Sequence, residues 1–312
     1  MNVTIKNENT RKILVLMFMI PVLSELLSGS STIVAMVNPI HLLIQVLSYG
    51  VPAVLIREYS IRWGLGLKGL LLLGIAYGIL NEGVLAQTFS DNKNLLGELG
   101  SQYFIFGLHP FWVVFISVWH AFFAVLFPIF FVNKLYPGQN LWLGKKSSIW
   151  FLIIVVLGMA LGITVGDSNQ AIIATILIIL FVILAKIQKV KIINQVSVTS
   201  LKPFWVGFTF ILYLIGAIIL AKVISFPLFV VYEFFGLFLF YRVLKRYGLL
   251  GQGSLILFGA GAYVSLALFV IIIFPSPVVL LPNSVIIIWV IWFTKKVFKK
   301  EKENTSLIPV RL

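Results

Sequence analysis

Long apolar segments separated by short polar connections are the main pattern along this chain of 312 residues. Each segment is continuously hydrophobic over about 20 residues, which is typical of a membrane-spanning α-helix and not of an alternating barrel strand. The segments are 13–28, 39–56, 69–87, 110–132, 149–166, 171–187, 203–221, 226–243, 254–273 and 276–293. The pattern therefore predicts an all-α, polytopic transmembrane bundle of about ten helices, forming one membrane domain over 1–312.

The composition supports lipid as the solvent for most of the surface. Hydrophobic residues make up 60% of the chain and charged residues 11%, with a mean hydropathy of +1.07. A soluble domain has roughly 25% charged residues, so a soluble core could not hide this much apolar surface. The chain contains no cysteine, which excludes disulfides, thiolate metal sites and cysteine nucleophiles.

The basic residues alternate between connections. Of the 24 Lys and Arg residues, 22 lie in every second connection or at the termini, and only Lys93 and Lys222 lie in the other set. The positive-inside rule then predicts that both termini are cytoplasmic, and we expect the protein to reside in the cell membrane. The net charge of +14 is interpreted as loop anchoring and not as nucleic-acid binding. The basic segment 295–312 is expected to be a tail near anionic lipid headgroups.

The two halves of the chain differ in polarity. Residues 1–146, with predicted helices 1–4, contain all three histidines and the intramembrane acids Glu25 and Glu82. Residues 147–312, with predicted helices 5–10, are more uniformly Ile, Leu, Val and Phe. We therefore expect a localised function to reside in the first half.

Three carboxylates fall inside predicted spans, where an ionisable group costs several kcal/mol unless it is paired or hydrated. At 1.5 Å per residue, Glu25 and Glu82 lie about 18 Å and 20 Å from the inner boundary, and Glu233 about 10 Å from the outer one. All three thus share a layer in the outer half of a core that is about 30 Å thick. Together with His120, they are predicted to bind a substrate or an ion in an outward-facing pocket.

Glu82 has the most informative surroundings. Gly74, Gly78, Glu82 and Ala86 recur at every fourth position and share one face of their helix. A face of small residues permits close approach of another helix. Glu82 should therefore point into helix packing, where it must be protonated, paired or linked to water.

The histidines offer weaker signals. His120 lies about 16 Å along its helix from His109, close to three turns, so both should face the same way. His120 is interpreted as a proton carrier, a metal ligand or a hydrogen-bonded structural residue. His120, Glu82 and His109 are the candidate metal ligands, although a catalytic zinc usually has three protein ligands and the chain contains no HExxH motif. His41 and His109 are otherwise expected to join helix ends to water.

A further charged pair, Glu58 and Arg62, has the i,i+4 spacing of a helix in the first connection. On a solvated surface such a pair contributes a few tenths of a kcal/mol at most.

Residues Leu23 to Pro137 resemble a set of uncharacterised prokaryotic multi-pass membrane proteins. The resemblance is carried by SELLSGSS (24–31), NP (38–39), YG (49–50), IRE (56–58), RW (62–63) and LLLLGIAYGILNEG (70–83). It covers a little over a third of the chain and implies a shared membrane fold without a known activity.

A more distant resemblance is to the CPBP intramembrane proteases, whose pattern is EExxxR, then FxxxH, then HxxxN or HxxxD. Glu82 matches the second Glu and His120 the second-motif His. The chain departs from the pattern at Asn81, Ala86 and Ile116, and no histidine follows His120. This resemblance implies a zinc-dependent hydrolase with Glu82 and His120 as catalytic residues, in a degenerate form because the third motif is missing.

The sequence is thus compatible with two functions from different classes. The first is a transporter or permease in which buried Glu and His residues bind a proton, a cation or a small solute. The second is the intramembrane metal-dependent hydrolase. No cofactor is otherwise evident, and the expected partners are the bilayer and a small solute or ion.

Overall fold

The computed structural model describes residues 2–26, 28, 30–90, 104–136, 140–188, 202–220, 223–246 and 252–306. Over these ranges the chain forms eleven helices and no strand, apart from an isolated bridge between Ile105 and Leu108. In chain order they are α1 (Asn2–Pro21, extended by Val22–Leu26), α2 (Ile33–Met36), α3 (Pro39–Arg62), α4 (Leu67–Leu85), α5 (Pro110–Leu135), α6 (Lys145–Val165), α7 (Ser168–Lys186), α8 (Lys202–Leu220), α9 (Phe226–Arg246), α10 (Gln252–Ile273) and α11 (Pro277–Ser306).

Nine helices of the described residues, α3 to α11, are long and apolar enough to cross a membrane. They match nine of the ten predicted spans, and the all-α bundle is confirmed. The remaining predicted span, 13–28, lies in α1, which is not among the nine. That helix already begins at Asn2, and its first half carries Glu8, Arg11 and Lys12. Its apolar second half is nevertheless packed in the core, since Leu16 and Ile20 are fully buried.

The centre of the bundle is formed by α4, α5 and α10, which are mostly buried, whereas α6 is almost entirely exposed. Helix α5 contacts α1, α4, α9 and α10. The predicted close-approach face of α4 is confirmed at two glycines. A Cβ added to Gly78 would lie 2.7 Å from the Cα of Ser117, and one added to Gly74 would lie 2.8 Å from the Cα of Ala121. Only glycine permits α4 and α5 to pack this closely.

The predicted basic tail is partly a helix. Helix α11 continues past the apolar segment to Ser306, so most of 295–312 extends the last span. Residues 307–312 and the two isolated cations of the opposite face, Lys93 and Lys222, lie outside the described residues.

Four of the first five helices contain a π-helical turn or end in one. These are Val22–Leu26 after α1, Val46–Gly50 in α3, Leu80–Leu85 in α4 and Ala121–Leu126 in α5. A π-turn inserts an extra residue into the helix, rotates the side chains that follow, and is found frequently at functional sites. All the π-turns of the described residues lie in the first half of the chain, the half that carries the intramembrane acids and histidines.

Candidate functional site

The four π-turns meet at a group of five polar side chains, which we call the polar cluster: Glu25, Tyr49, Asn81, Glu82 and His120. The first four lie within π-turns, and His120 immediately precedes the π-turn of α5. Four segments of the chain therefore supply one residue or more to the same site. Tyr49, Asn81, Glu82 and His120 are buried, and Glu25 is partly buried.

The ring of His120 forms the centre of the cluster. Its Nε2 lies 3.1 Å from Asn81 Nδ2, 3.4 Å from the Tyr49 hydroxyl and 3.4 Å from Glu82 Oε1. Its Nδ1 lies 2.9 Å from the carbonyl oxygen of Ile116, which can only accept, so Nδ1 carries a proton. Nε2 then accepts from Asn81 when the ring is neutral, and a second proton at Nε2 makes the ring a cation facing Glu82.

Glu25 connects the centre to the end of the bundle. Its carboxylate accepts a hydrogen bond from the Tyr49 hydroxyl at Oε1 and another, of 3.0 Å, from the Ser31 hydroxyl at Oε2. The Ser31 hydroxyl also lies 3.4 Å from Nε2 of His41, whose side chain is half-buried near the start of α3. A chain of polar contacts thus runs from a solvent-accessible histidine to His120.

Glu82 has partners on the opposite side of the cluster. The Thr88 hydroxyl donates to Glu82 Oε2 at 2.5 Å, and the indole N–H of Trp112 donates to the Thr88 hydroxyl at 2.8 Å. The amide of Asn81 lies 3.4 Å from Oε1 of the same carboxylate and 3.0 Å from the Tyr49 hydroxyl. Both carboxylates are therefore held by neutral donors and joined to each other through Tyr49, Asn81 and His120.

Aromatic rings and one close backbone contact enclose the cluster. The ring centroids of Tyr49, Tyr77 and His120 lie 5.8–6.0 Å from one another, and the Tyr77 hydroxyl donates to the carbonyl oxygen of Ser48 at 3.1 Å. At Gly50 a Cβ would lie 2.8 Å from the backbone of Met17. Tight packing of α1 on α3, and of α5 on α4 at Gly78, fixes the relative positions of the polar side chains.

The structure brings together Glu25, Glu82 and His120 of the predicted site and places the other candidates elsewhere. Glu233 lies on α9, where it is buried and accepts a 3.2 Å hydrogen bond from the Tyr213 hydroxyl at Oε2. Within the described residues its Oε1 has no hydrogen-bond partner, and no hydrogen bond joins it to the polar cluster.

His109 caps the start of α5, where its Nδ1 accepts from the backbone N–H of Trp112 at 3.3 Å. It lies about 16 Å along the helix axis from His120. Among the residues described, no group of three or more His, Cys, Asp or Glu side chains is arranged to hold a metal.

Sequence reasoning missed Tyr49 and Ser31 and treated Asn81 only as a neighbour of Glu82. A tyrosine in an apolar segment is common, so it carries no signal by itself. The π-turns decide which residues face the site, and a pattern of period 3.6 cannot reveal them.

A second buried network lies at the other end of α3, and we call it the cation-face network: Arg57, Glu58, Arg62 and Trp142. Glu58 is fully buried, with Oε1 3.1 Å from Arg62 Nη2 and Oε2 3.6 Å from Arg57 Nη1. The predicted Glu58–Arg62 pair therefore forms, but the expectation of a weak solvated pair was wrong. The cause is the segment 140–148, which covers Glu58.

The same network ties this segment to α3. The guanidinium of Arg57 lies 3.6 Å from the centre of the Trp142 ring, and its Nη1 donates to the carbonyl oxygen of Asn140 at 2.8 Å. The backbone N–H of Trp142 donates to Glu58 Oε2 at 3.0 Å, and Arg62 donates to the carbonyl oxygen of Leu143 at 3.0 Å. These contacts hold the start of α6 against the end of α3.

The polar cluster can store and exchange protons among its two carboxylates and His120, whereas the cation-face network holds the Glu58 carboxylate against two arginines and a backbone N–H. The chain has no significant match among curated proteins or among solved structures. A family profile, however, matches residues 14–293, which is most of the chain and includes both networks. The protein belongs to this uncharacterized membrane protein family.

Proposed function

We propose that the protein is a proton-coupled transporter of a small solute or ion and that the polar cluster is its proton-binding site. The observation that carries the proposal is the continuous polar connection between Glu25 and Glu82 through Tyr49, Asn81 and His120. Tyr49, Asn81, Glu82 and His120 lie in helices that are apolar enough to span a membrane, and Glu25 lies at the end of α1, which packs against them. Acids in such helices are costly and are typical of ion and proton pathways.

The order of contacts defines a route for a proton. It enters at His41 Nε2, passes by way of the Ser31 hydroxyl to Glu25 Oε2, and continues from the Tyr49 hydroxyl to His120 Nε2. The Glu25 carboxyl, now protonated at Oε2, rotates about its Cγ–Cδ bond, returns a proton to Tyr49 at the position first held by Oε1, and is again a carboxylate. His120 then delivers a proton to Glu82 Oε1. Apart from this rotation, each transfer is between atoms that are already in polar contact.

The route opens toward one face only. Beyond His120, α5 continues with Phe122, Phe123 and Phe127, and the last two are almost completely buried. A transport cycle therefore requires a change that connects the cluster to the opposite face. The four π-turns that meet at the cluster support such a change, because π-turns are local distortions of a helix that occur frequently at functional sites.

The proposed orientation counts α1 as a tenth span, which puts both termini in the cytoplasm together with the cation-rich ends of the helices. It places the polar cluster in the outer half of a prokaryotic plasma membrane. Reporter fusions after Lys146 and after Lys186 should read cytoplasmic, and a fusion at Asp167 should read external. An external result at Lys146 would reverse the orientation of the whole bundle.

Transport is tested with proteoliposomes that contain a pH-sensitive dye. Na⁺, K⁺ and a panel of amino acids, sugars and organic acids are added one at a time. We expect at least one of them to drive proton movement in the wild-type protein, and we expect Glu82→Gln to abolish it. Glu233→Gln is the matched control, because Glu233 makes no hydrogen bond to the cluster, and this variant should retain the proton movement.

The adjacency of Glu82 Oε1 and His120 Nε2 also favours a second candidate, the metal-dependent hydrolase. In that function His120 would ligate zinc and Glu82 would activate a water molecule. One equivalent of zinc on the purified protein, lost in His120→Ala, together with no solute-driven proton movement, would favour the hydrolase over the transporter.

A further inference from the structure

An apolar crevice lies between five helices, beyond His120 along α5. Fourteen residues of α4, α5, α8, α9 and α10 line it. Twelve are Leu or Phe, and the other two are Lys68 and Tyr241. Along α5 the crevice extends from Phe130 to Phe122, which is about 12 Å and therefore less than half of a hydrocarbon core about 30 Å thick.

The chemistry of the lining excludes water as a stable occupant. The crevice has a volume of about 90 Å³, enough for roughly six groups of the size of a water molecule or a methylene. A buried water needs two to four polar partners, and the Leu and Phe walls offer none. An occupant that matches these walls is a hydrocarbon chain.

The residues at the polar end of the crevice indicate which polar group the hydrocarbon chain carries. Lys68 is exposed at the start of α4, and its Nζ lies 5.6 Å from the centre of the Tyr241 ring. Lys245 and Arg246 are exposed at the same end of the bundle, on the last turn of α9. No acidic side chain is among the residues that line the crevice. This end therefore favours an anionic group.

We propose that the crevice is a binding site for one anionic phospholipid of the leaflet on the cation-rich face. One acyl chain fills the space between Phe122, Phe210 and Phe258, and the headgroup phosphate lies against Lys68 and the Tyr241 hydroxyl. The lipid joins α4 and α5 of the first half to α8, α9 and α10 of the second. This inference does not depend on the proposed transport function.

The test uses the purified full-length protein in a neutral detergent, titrated with phosphatidylglycerol or with phosphatidylcholine of the same acyl chains and followed by native mass spectrometry. We expect one tightly bound phosphatidylglycerol and weaker binding of phosphatidylcholine. Lys68→Gln should lower the affinity for phosphatidylglycerol by about fivefold, since one lysine near a lipid surface contributes about 1 kcal/mol. Its effect on phosphatidylcholine should be small.

Two further variants keep the test decisive. Lys145→Gln removes the same charge from the start of α6, a helix that does not line the crevice, and should leave the affinity for phosphatidylglycerol close to wild type. Leu71→Trp fills the crevice and should weaken both lipids, and its thermal unfolding in detergent shows that the protein is still folded. Equal binding of the two lipids, equal effects of Lys68→Gln and Lys145→Gln, or unchanged binding in a folded Leu71→Trp variant would each overturn the proposal.

Discussion

Two buried polar networks lie on the same helix, α3, and they are built in opposite ways. In the cation-face network, Glu58 is surrounded by two arginines and a backbone N–H. In the polar cluster, Glu25 and Glu82 are held by hydroxyl and amide groups, and the adjacent His120 can be neutral or charged. The first network has a fixed charge distribution, and the second has several that differ by one proton.

The backbone conformation also differs between the two networks. The cation-face network lies on the regular part of α3, whereas every helix of the polar cluster has a π-turn there. Glu58 is held by opposite charges and by the backbone, which stabilises one arrangement of its network. A carboxylate held by neutral donors, as in the polar cluster, can gain or lose a proton without breaking an ion pair to a permanently charged side chain. We therefore interpret the first network as structural and propose the functional role for the second.

The largest expected difference between the networks is in stability. Glu58→Gln removes the only carboxylate next to Arg57 and Arg62 within the described residues. Leaving the buried charge of Arg57 unpaired costs about 3–5 kcal/mol, whereas Arg62 is exposed and adds little. Glu25→Gln keeps an oxygen that can accept from Tyr49 or Ser31, so it should cost only about 1 kcal/mol. Chemical denaturation in mixed micelles measures both. Similar losses in the two variants would remove the distinction between the networks.

The next effect concerns the packing that positions the cluster. Gly78→Ala places a methyl group 2.7 Å from the Cα of Ser117 and should destabilise the protein by about 1–3 kcal/mol through overpacking. Gly158→Ala is the control, because the nearest atom to its new methyl group is a leucine side-chain carbon 3.5 Å away. Equal unfolding midpoints for the two variants would show that α4 and α5 are not held together at Gly78.

Tyr49→Phe should separate the two carboxylates at a smaller cost. The variant removes the hydroxyl that contacts Glu25, Asn81 and His120, and the loss of such hydrogen bonds costs about 1–2 kcal/mol. Proton uptake after a pH jump, measured in detergent, should lose its dependence on Glu25. If Glu25→Gln changes the uptake equally in the wild-type and Tyr49→Phe backgrounds, Tyr49 does not connect them.

The smallest effect is expected at His109. His109→Asn retains a side chain that can cap α5 but leaves space where the fully buried imidazole packs on Phe104 and Phe111, so the protein should be destabilised by about 1 kcal/mol. Proton uptake by the cluster should be unchanged, because His109 lies about 16 Å along the helix from His120. A marked change in uptake would place His109 in the functional site after all.

The sequence predicts the helices well because lipid imposes one requirement on every span, a long apolar segment. It also predicts the close packing at Gly74 and Gly78, since glycines four residues apart can only lie on one face. The depth of a residue in the membrane also follows from its position along the helix. The sequence therefore predicts that Glu25, Glu82 and His120 lie at similar depths.

The sequence does not show which helices and connections lie next to each other in the bundle. The sequence predicts that Glu233 shares a layer and a pocket with Glu25 and Glu82. In the structure it is on α9, hydrogen-bonded to Tyr213 instead of to the polar cluster. The burial of Glu58 depends on the segment 140–148, more than 80 residues away along the chain. The role of Tyr49 depends on a π-turn. These features follow from tertiary packing and from the local choice between α and π hydrogen bonding, neither of which a hydrophobic pattern records.

The most direct test of the central claim is the labelling of Glu82 by a hydrophobic carbodiimide, which reacts with protonated carboxyl groups, followed across pH by peptide mass spectrometry. If the polar cluster exchanges protons as one unit, labelling decreases as the pH rises. The pH at which it decreases then moves in Glu25→Gln and in Tyr49→Phe but not in Glu233→Gln. A labelling profile that is the same in all four proteins, and the same as that of a free carboxyl group, would contradict the account.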